Sequence, residues 1–314
     1  MASRDRSGRS GGPGRPARTT SASHRPPTRS PRRGDPGAWP VGPVPIATGT
    51  AELVRSPDDP DAVTLLVNGV PSSHLDLADP SRLEFEYMQQ MAAVLEHLPA
   101  VTGPVRAVHL GAAGCALARW VHARFPGARQ LAVDLDPVLV ALVRDWFDLP
   151  RSPALRLRAG DARAELATLP STGADVVVRD VFAGDRTPAH LTTQEVVQEV
   201  VRVLRPGGLY LVNCADRPPL TLARAEAATL ATGFRHVAAV AEPAVLRGRR
   251  YGNVVLAATD DPDLLADAGL ARELRSLPVP ARLLTGDELR AFTGRAAPLR
   301  DAAPEVEPEP GVDL

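Results

Sequence analysis

The chain contains no lysine: all 36 basic side chains of its 314 residues are arginine. Set against 37 acidic residues they leave a formal charge of -1, so no long-range field points to nucleic acid as the main partner. Aromatic residues make up only 4%, which argues against a base-stacking surface. Two cysteines occur, Cys115 and Cys214, without C-x-x-C spacing, and alone they cannot complete a four-ligand zinc site. The histidines are scattered with no H-x-x-x-H pair, so no metal is expected. No apolar run approaches the roughly 18 residues of a membrane span, and the N-terminus lacks the apolar centre of a secretory signal. These absences predict a reduced, cytoplasmic protein that engages neither membrane nor nucleic acid.

What is present is a 44% hydrophobic composition, ample for a sizeable core in one or two domains. Residues 1–40 are rich in Arg, Ser, Pro and Gly and bury too little to offset their ordering entropy, so they are predicted to be disordered. Their basic character also suits a nucleic-acid arm or a transit peptide, but a dispensable extension is the simpler reading. The tail at 301–314, ending APEVEPEPGVDL, is acidic and Pro-rich and reads as disordered too.

Residues 44–100 read as a small module. GTAELVRS and AVTLLVNGV are strand candidates joined by the turn-rich PDDPD, and the Asn-Gly at 68–69 supplies a further turn. PSRLEFEYMQQMAAVLEHL then reads as a helix, because Leu83, Tyr87, Met91, Val94, Leu95 and Leu98 recur at three- and four-residue intervals. Asp79 or Ser81 is the expected cap. Over 101–260 strands alternate with helices, from VRAVHLG to NVVLAAT. That alternation predicts an α/β fold: a mostly parallel, Rossmann-like sheet of methyltransferase type, helices on both faces, preceded by the β-rich module. Residues 261–300 add one or two helices.

Ligands of such sheets sit at the carboxyl ends of the strands, so the strand ends carry the chemistry. The first ends in GAAGCA (Gly111 to Ala116), whose small residues let the backbone approach a ligand, although G-x-G-x-x-G is not present. The second ends in DLDP: Asp134 suits the hydroxyls of a ribose, and Asp136 suits a helix cap with Pro137 at the first position. The third ends in GDA, where Asp161 either meets an adenine amino group or caps a helix. The fourth, ADVVVRD, ends in Asp180, read as a catalytic or ligand-binding carboxylate or as a solvated loop residue. His109, inside the first strand, reads as a satisfied core histidine.

The ordered set GAAG, DLD, GDA and RD fits a nucleoside-binding methyltransferase-type sheet. Together with VNGV, LEFEYMQQM, EHLP, DVVVRDVFAGDRTPAHLTTQEV and VLRPGG, it resembles the polyamine aminopropyltransferases (spermidine synthases), within the class I S-adenosylmethionine-dependent transferases, over about residues 49 to 260. The resemblance implies a donor, S-adenosylmethionine or its decarboxylated form, held by Gly111, Ala113, Gly114, Asp134, Asp161 and Ala162, without metal. It implies that Asp180 takes a proton from the attacking amine and that Tyr87 and Gln89 help to place that amine. Members are often dimers or tetramers, which makes a homodimer possible for this chain. Departures from the family pattern are specific. Gly114 stands where the family has the carboxylate that holds the donor's amine, Ser72 where it has Gln, and Leu83 where it has Asp.

A polyamine ammonium has a pKa near lysine's value of about 10.4, and attack on a carbon beside a sulfonium needs the neutral amine. A carboxylate at the sheet edge can accept that proton. Asp180 is the first candidate and Asp185 the second. The activity that the resemblance implies is aminopropyl transfer to a small amine. The alternatives are methyl transfer to an unknown small acceptor and a non-catalytic binding relative.

Overall fold

The computed structural model describes residues 39–184 and 186–302. The basic extension before residue 39, Asp185 and the tail from 303 onward lie outside the described residues.

The N-terminal module is an antiparallel sheet of β1 (Val44–Ile46), β2 (Gly49–Arg55), β3 (Ala62–Val67) and β4 (Val70–Asp76), paired in that order. Asn68 and Gly69 both adopt positive φ, 53° and 76°, and close a two-residue hairpin between Val67 and Val70. Their twist matches the strands they join. Thr48, between β1 and β2, donates from its amide (2.6 Å) and its hydroxyl (2.9 Å) to Asp136 Oδ2, tying the module to the larger sheet. Trp39 is part of the same seam, its indole donating to the Trp146 carbonyl at 3.1 Å.

Helix α1 (Glu86–Glu96) buries Tyr87, Met88, Met91, Val94 and Leu95. It begins later than the sequence predicts, and neither Asp79 nor Ser81 caps it. Asp79 Oδ1 instead accepts from the Ser81 amide and hydroxyl, closing a local turn, and Phe85 takes the cap position without a side-chain bond. Short polar side chains before Pro or Ser favour such turns over helix.

The remaining elements are β5 (Arg106–Leu110), α2 (Ala116–Arg124), β6 (Arg129–Asp134), α3 (Pro137–Trp146), β7 (Leu155–Ala159), α4 (Ala162–Ala167), β8 (Ala174–Arg179), α5 (Gln194–Val203), β9 (Leu204–Asp216), α6 (Thr221–Leu230), β10 (His236–Ala241), α7 (Pro243–Leu246), β11 (Gly252–Thr259), α8 (Ala268–Ser276), β12 (Arg282–Leu284) and α9 (Gly286–Thr293). Their strands form one sheet in the order β12-β10-β11-β9-β8-β5-β6-β7. Strands β7, β6, β5, β8 and β9 run parallel, and β11 is antiparallel to both β9 and β10. This is the mostly parallel, methyltransferase-type sheet that the alternation predicts. One strand is additional: β12 pairs with the edge of β10 inside a segment read as helical. Three residues, RLL, are too short to show a period of two.

Each face of the sheet has its own core. One gathers α1, α2, α3 and α8 over Val176, Val178, Leu209 and Leu211; the other gathers α4, α5, α6 and α9 over Val177, Tyr210, Val212 and Cys214. Helix α5 shows why the chain sorts so cleanly: Val196, Val197, Val200 and Val203 are its buried residues, each worth about 1.5 kcal/mol or more against exposure. Among the described residues no helix is long and apolar enough to cross a membrane.

Candidate active site

The parallel register brings the strand ends into one row. The Gly160 amide donates to the Asp134 carbonyl (2.9 Å), Gly111 to Val133 (2.9 Å) and Asp180 to Leu110 (2.8 Å). The predicted residues Gly111, Asp134, Asp161 and Asp180 therefore share one edge. Alternation decides the face. Val176, Val178 and then Asp180 point toward α1, as do Leu211 and Asn213 on β9, whereas Val177 and Arg179 point the other way.

On that face a carboxylate is held between two neutral donors. The Tyr87 hydroxyl donates to Asp180 Oδ2 at 2.9 Å, and the Asn213 amide donates to Asp180 Oδ1 at 2.9 Å. Asp180 keeps some solvent contact, but the protein packed around it disfavours its charge and raises its pKa. The bonds from Asn213 and Tyr87, with the charge of Arg179, pull the value back only in part. Burial and the neighbouring carboxylate push the Tyr87 phenol well above its ordinary value, so it remains a donor. Asn213 is 1% exposed, and its Oδ1 has no partner among the described residues.

The other half of the edge is held by backbone. Asp134 Oδ2 accepts from the amides of Ala113 (2.9 Å) and Ala112 (3.3 Å), and its Oδ1 accepts from Asp136 (3.1 Å). The loop that supplies these amides is strained, with Ala113 and Cys115 at φ 39° and 61°, a conformation costing about 1–3 kcal/mol per residue. Gly111, at φ 88°, is required: a Cβ there would lie 2.0 Å from the Asp180 carbonyl oxygen. Gly114 is pinned from the N-terminal module, its amide donating to Ser73 Oγ at 2.9 Å. A Cβ at 114 would lie 2.8 Å from Ser73 Cβ and 2.9 Å from Leu75 Cδ1.

Asp161 and Asp136 are both helix caps. Asp161 Oδ1 accepts from Arg163 and Ala164 amides, and Ala162, buried, opens α4. Its Oδ2 lies 3.1 Å from His190 Nε2. Burial works to raise the Asp161 pKa, but the Ala164 amide and His190 prevail and lower it. Asp136 Oδ1 caps α3 through the amides of Val138 and Leu139.

One predicted residue does not join this group. Gln89 donates to the carbonyls of Leu83 (2.7 Å) and Glu84 (3.5 Å) and lines a groove with Ser81, Glu96 and Trp120. The reason is helical geometry: two residues past Tyr87 is the opposite side of α1, whereas Gln90, three residues past, shares the Tyr87 face and is 3% exposed. Asp185 lies outside the described residues. His109 is a core histidine, Nε2 2.9 Å from Gln130 Oε1, with burial lowering its pKa to about 4. Cys115 and Cys214 are buried free thiols, burial raising Cys115 to about 12. Neither has the character of a nucleophile. Among the described residues no group of three metal-ligating side chains occurs. Asn213, Ser73 and His190 were not among the predicted site residues; a lone Asn within the apolar run GLYLVNCA was the one available signal.

This edge is that of a transferase on a methyltransferase-type fold, and a profile describing a methyltransferase domain matches residues 108–212. The crystal structure of a probable spermidine synthase from Corynebacterium glutamicum is 35% identical, covers 86% of this chain and 99% of its own, and superposes with a TM-score of 0.80. The chain belongs to the spermidine synthase-like family. A polyamine aminopropyltransferase of Neisseria meningitidis is 28% identical over 142 residues, 45% of this chain and 53% of that protein. The human eEF1A lysine and N-terminal methyltransferase is 27% identical over 125 residues, 36% of this chain and 18% of that protein. The chain spans about half the length, or less, of the curated relatives it matches.

Proposed function

We propose that the chain alkylates a small amine using an adenosyl sulfonium donor, with Asp180 as the base and an aminopropyl group as the group transferred. The observation that carries this reading is the Tyr87–Asp180–Asn213 cluster, on the same sheet edge as Asp134 and Asp161. A carboxylate with a raised pKa, in contact with solvent and beside the orphan oxygen of Asn213, suits an amine that must arrive charged and react neutral. Asp180 Oδ2 keeps a lone pair beyond the Tyr87 bond and can accept one N–H, which orients the nitrogen lone pair. The proton taken by Asp180 then has a route to water.

The donor supplies a carbon activated by its neighbouring sulfonium, and the chain supplies the grip. Asp134 Oδ1 takes one backbone amide and keeps a lone pair for a ribose hydroxyl, whereas Oδ2 already takes two amides. Asp161 Oδ2, with Oδ1 spent on the cap, remains for the adenine amino group. Alkyl transfer then needs the reacting atoms held about 3–3.5 Å apart in line.

Methyl transfer from intact S-adenosylmethionine is the second reading, and Gly114 favours it. The family carboxylate that neutralises the donor's ammonium is missing here, and Ser73 and Leu75 leave no room for it. An unpaired buried ammonium is costly, whereas the intact donor carries its own carboxylate on that arm. Side-by-side calorimetric titration with S-adenosylmethionine, its decarboxylated form and methylthioadenosine separates the readings. Tighter binding of the decarboxylated donor, with putrescine as first acceptor, supports aminopropyl transfer. Preference for the intact donor moves the chain to methyl transfer, and silence from all three sinks both.

A further inference from the structure

Behind the Asp180 site, on the opposite face of the sheet, lies a charge pair that the proposed reaction does not use. Arg179 Nη2 donates to Glu226 Oε2 of α6 at 2.5 Å, and the two side chains are 1% and 3% exposed. Burial works to raise the pKa of Glu226, and the adjacent guanidinium opposes it. Such a pair is seldom more stabilising than two well-packed apolar side chains, because both ions lose their water. Its presence here therefore asks for a reason other than stability.

Two further N–H bonds of the guanidinium give one, while its Nε has no partner among the described residues. Nη2 also donates to the Asn213 carbonyl at 3.3 Å, and Nη1 donates to the Leu191 carbonyl at 3.4 Å. Asn213 is the residue whose side-chain amide holds Asp180 Oδ1. Leu191 ends the short 3-10 turn Ala189–Leu191, whose middle residue His190 reaches Asp161. One planar fork thus touches the backbone of two segments that carry site side chains, and Glu226 fixes its orientation from a third. Lysine, a point charge on a flexible stem, could not span these acceptors in the same way.

We infer that Arg179 and Glu226 are positioning residues: from behind the sheet they fix the end of β9 and the 189–191 turn so that Asn213 meets Asp180 and His190 meets Asp161. The structural part stands on these contacts alone, and its kinetic part rests on the proposed role of Asp180.

The test is the full-length double variant R179M/E226L, which replaces the pair with apolar side chains of similar size. The amides of Leu191 and Thr192 donate to Pro188 and Ala189 within the turn. Their hydrogen exchange, read by mass spectrometry, is expected to rise at least tenfold, while peptides of β5 and α2 exchange as in the parent. Turnover is expected to fall at least thirtyfold in kcat with the donor KM within threefold. E226Q, which keeps the shape and one acceptor, is expected to retain slow exchange in the turn and at least a third of kcat, so it reports on the same contacts should the double variant not fold. Unchanged exchange in a folded R179M/E226L, or exchange in E226Q that accelerates equally in every peptide, overturns the inference. If exchange behaves as expected but the parent chain turns over no donor with any amine, the proposed function fails and the positioning role stands.

Discussion

Asp180 and Asp161 follow β8 and β7, strands of one sheet edge separated by β5 and β6, yet the protein treats them in opposite ways. Asp180 is held by two neutral side chains, a phenol and an amide, and burial raises its pKa. Asp161 is held by two helix amides and a histidine, and its pKa is lowered. Backbone amides at a helix N-terminus are fixed dipoles that favour the anion. Neutral side chains inside protein only partly replace the water they displaced. One carboxylate is thereby poised to take a proton, the other to stay charged and accept hydrogen bonds. Under the proposed function the edge divides into a proton-moving half at β8 and β9 and a holding half at β5 to β7.

The largest expected break in this division is Asp180→Asn. Turnover should fall about a thousandfold, inside the roughly 10²–10⁴-fold that a positioned base supplies, with donor Kd unchanged within threefold by calorimetry. The same change at Asp161, or Asp134→Asn, should weaken donor binding while leaving kcat at saturating donor nearly intact. A kcat loss at Asp161 as large as that at Asp180 would dissolve the division.

Gly111 joins the halves, since at its φ of 88° any Cβ would sit 2.0 Å from the Asp180 carbonyl oxygen, which leaves no space for a side chain. Gly111→Ala should cost about 3 kcal/mol or more in urea unfolding, combining a strained φ with a backbone collision. Gly114→Asp should cost less, because its nearest contacts, Ser73 Cβ at 2.8 Å and Leu75 Cδ1 at 2.9 Å, are less close than the backbone oxygen is at 111, and its φ is not left-handed. A Gly111→Ala variant as stable as the parent would mean that the two strand ends are not locked together.

How far the division was legible in the sequence depends on the half. The strands of the parallel sheet announce themselves by their apolar runs, and the acidic residues at their ends stand out because little else there is polar. Asp134, Asp161 and Asp180 were therefore readable as a set. The partners of those carboxylates were not. Tyr87 came only through a family resemblance, and Asn213 sits 33 residues from Asp180, brought near by sheet register rather than by spacing. Ser73 meets Gly114 across 41 residues. Gln89 falls outside the cluster because two residues past Tyr87 is the opposite side of α1, a consequence of spacing that the resemblance does not take into account. Arg179 ends a strand buried on both faces, and its partner Glu226 lies 47 residues further along the chain. Local pattern reveals elements and their ends; pairings across the sheet need the register.

Tyr87→Phe sharpens the proton-moving half. Losing one hydrogen bond to a charged group is worth about 1.5–2 kcal/mol, so kcat should fall roughly tenfold to thirtyfold. The bond lowers the Asp180 pKa, so its removal should move the acid limb of the kcat/KM profile to higher pH. An acid limb that stays in place would mean that the phenol does not hold the ionised carboxylate.

The smallest effects carry the cleanest sign. Asp180 has a folded pKa above its unfolded one, so the folded state binds more protons than the unfolded chain as pH rises from the ordinary carboxylate value through the raised one. Folding stability is lost over that window. Asp180→Asn removes the loss and should stabilise the protein at pH 8 by about 0.5–2 kcal/mol, the usual size of a gain from relieving an active-site residue. The gain should vanish near pH 3, where Asp180 is protonated in both states. Asp161 has the opposite sign: its folded pKa lies below its unfolded one, so its contribution is present at neutral pH and disappears as pH falls through the lowered value. Asp161→Asn should therefore destabilise at pH 8, with a loss that shrinks as pH falls through the lowered value. The loss should stay under about 1 kcal/mol, because the side chain is 42% exposed and asparagine is itself a good cap. Urea unfolding of both variants at pH 3 and pH 8 reads all four values. Shifts of the same sign at pH 8 would show that the two carboxylates are not held in opposite protonation tendencies by the fold.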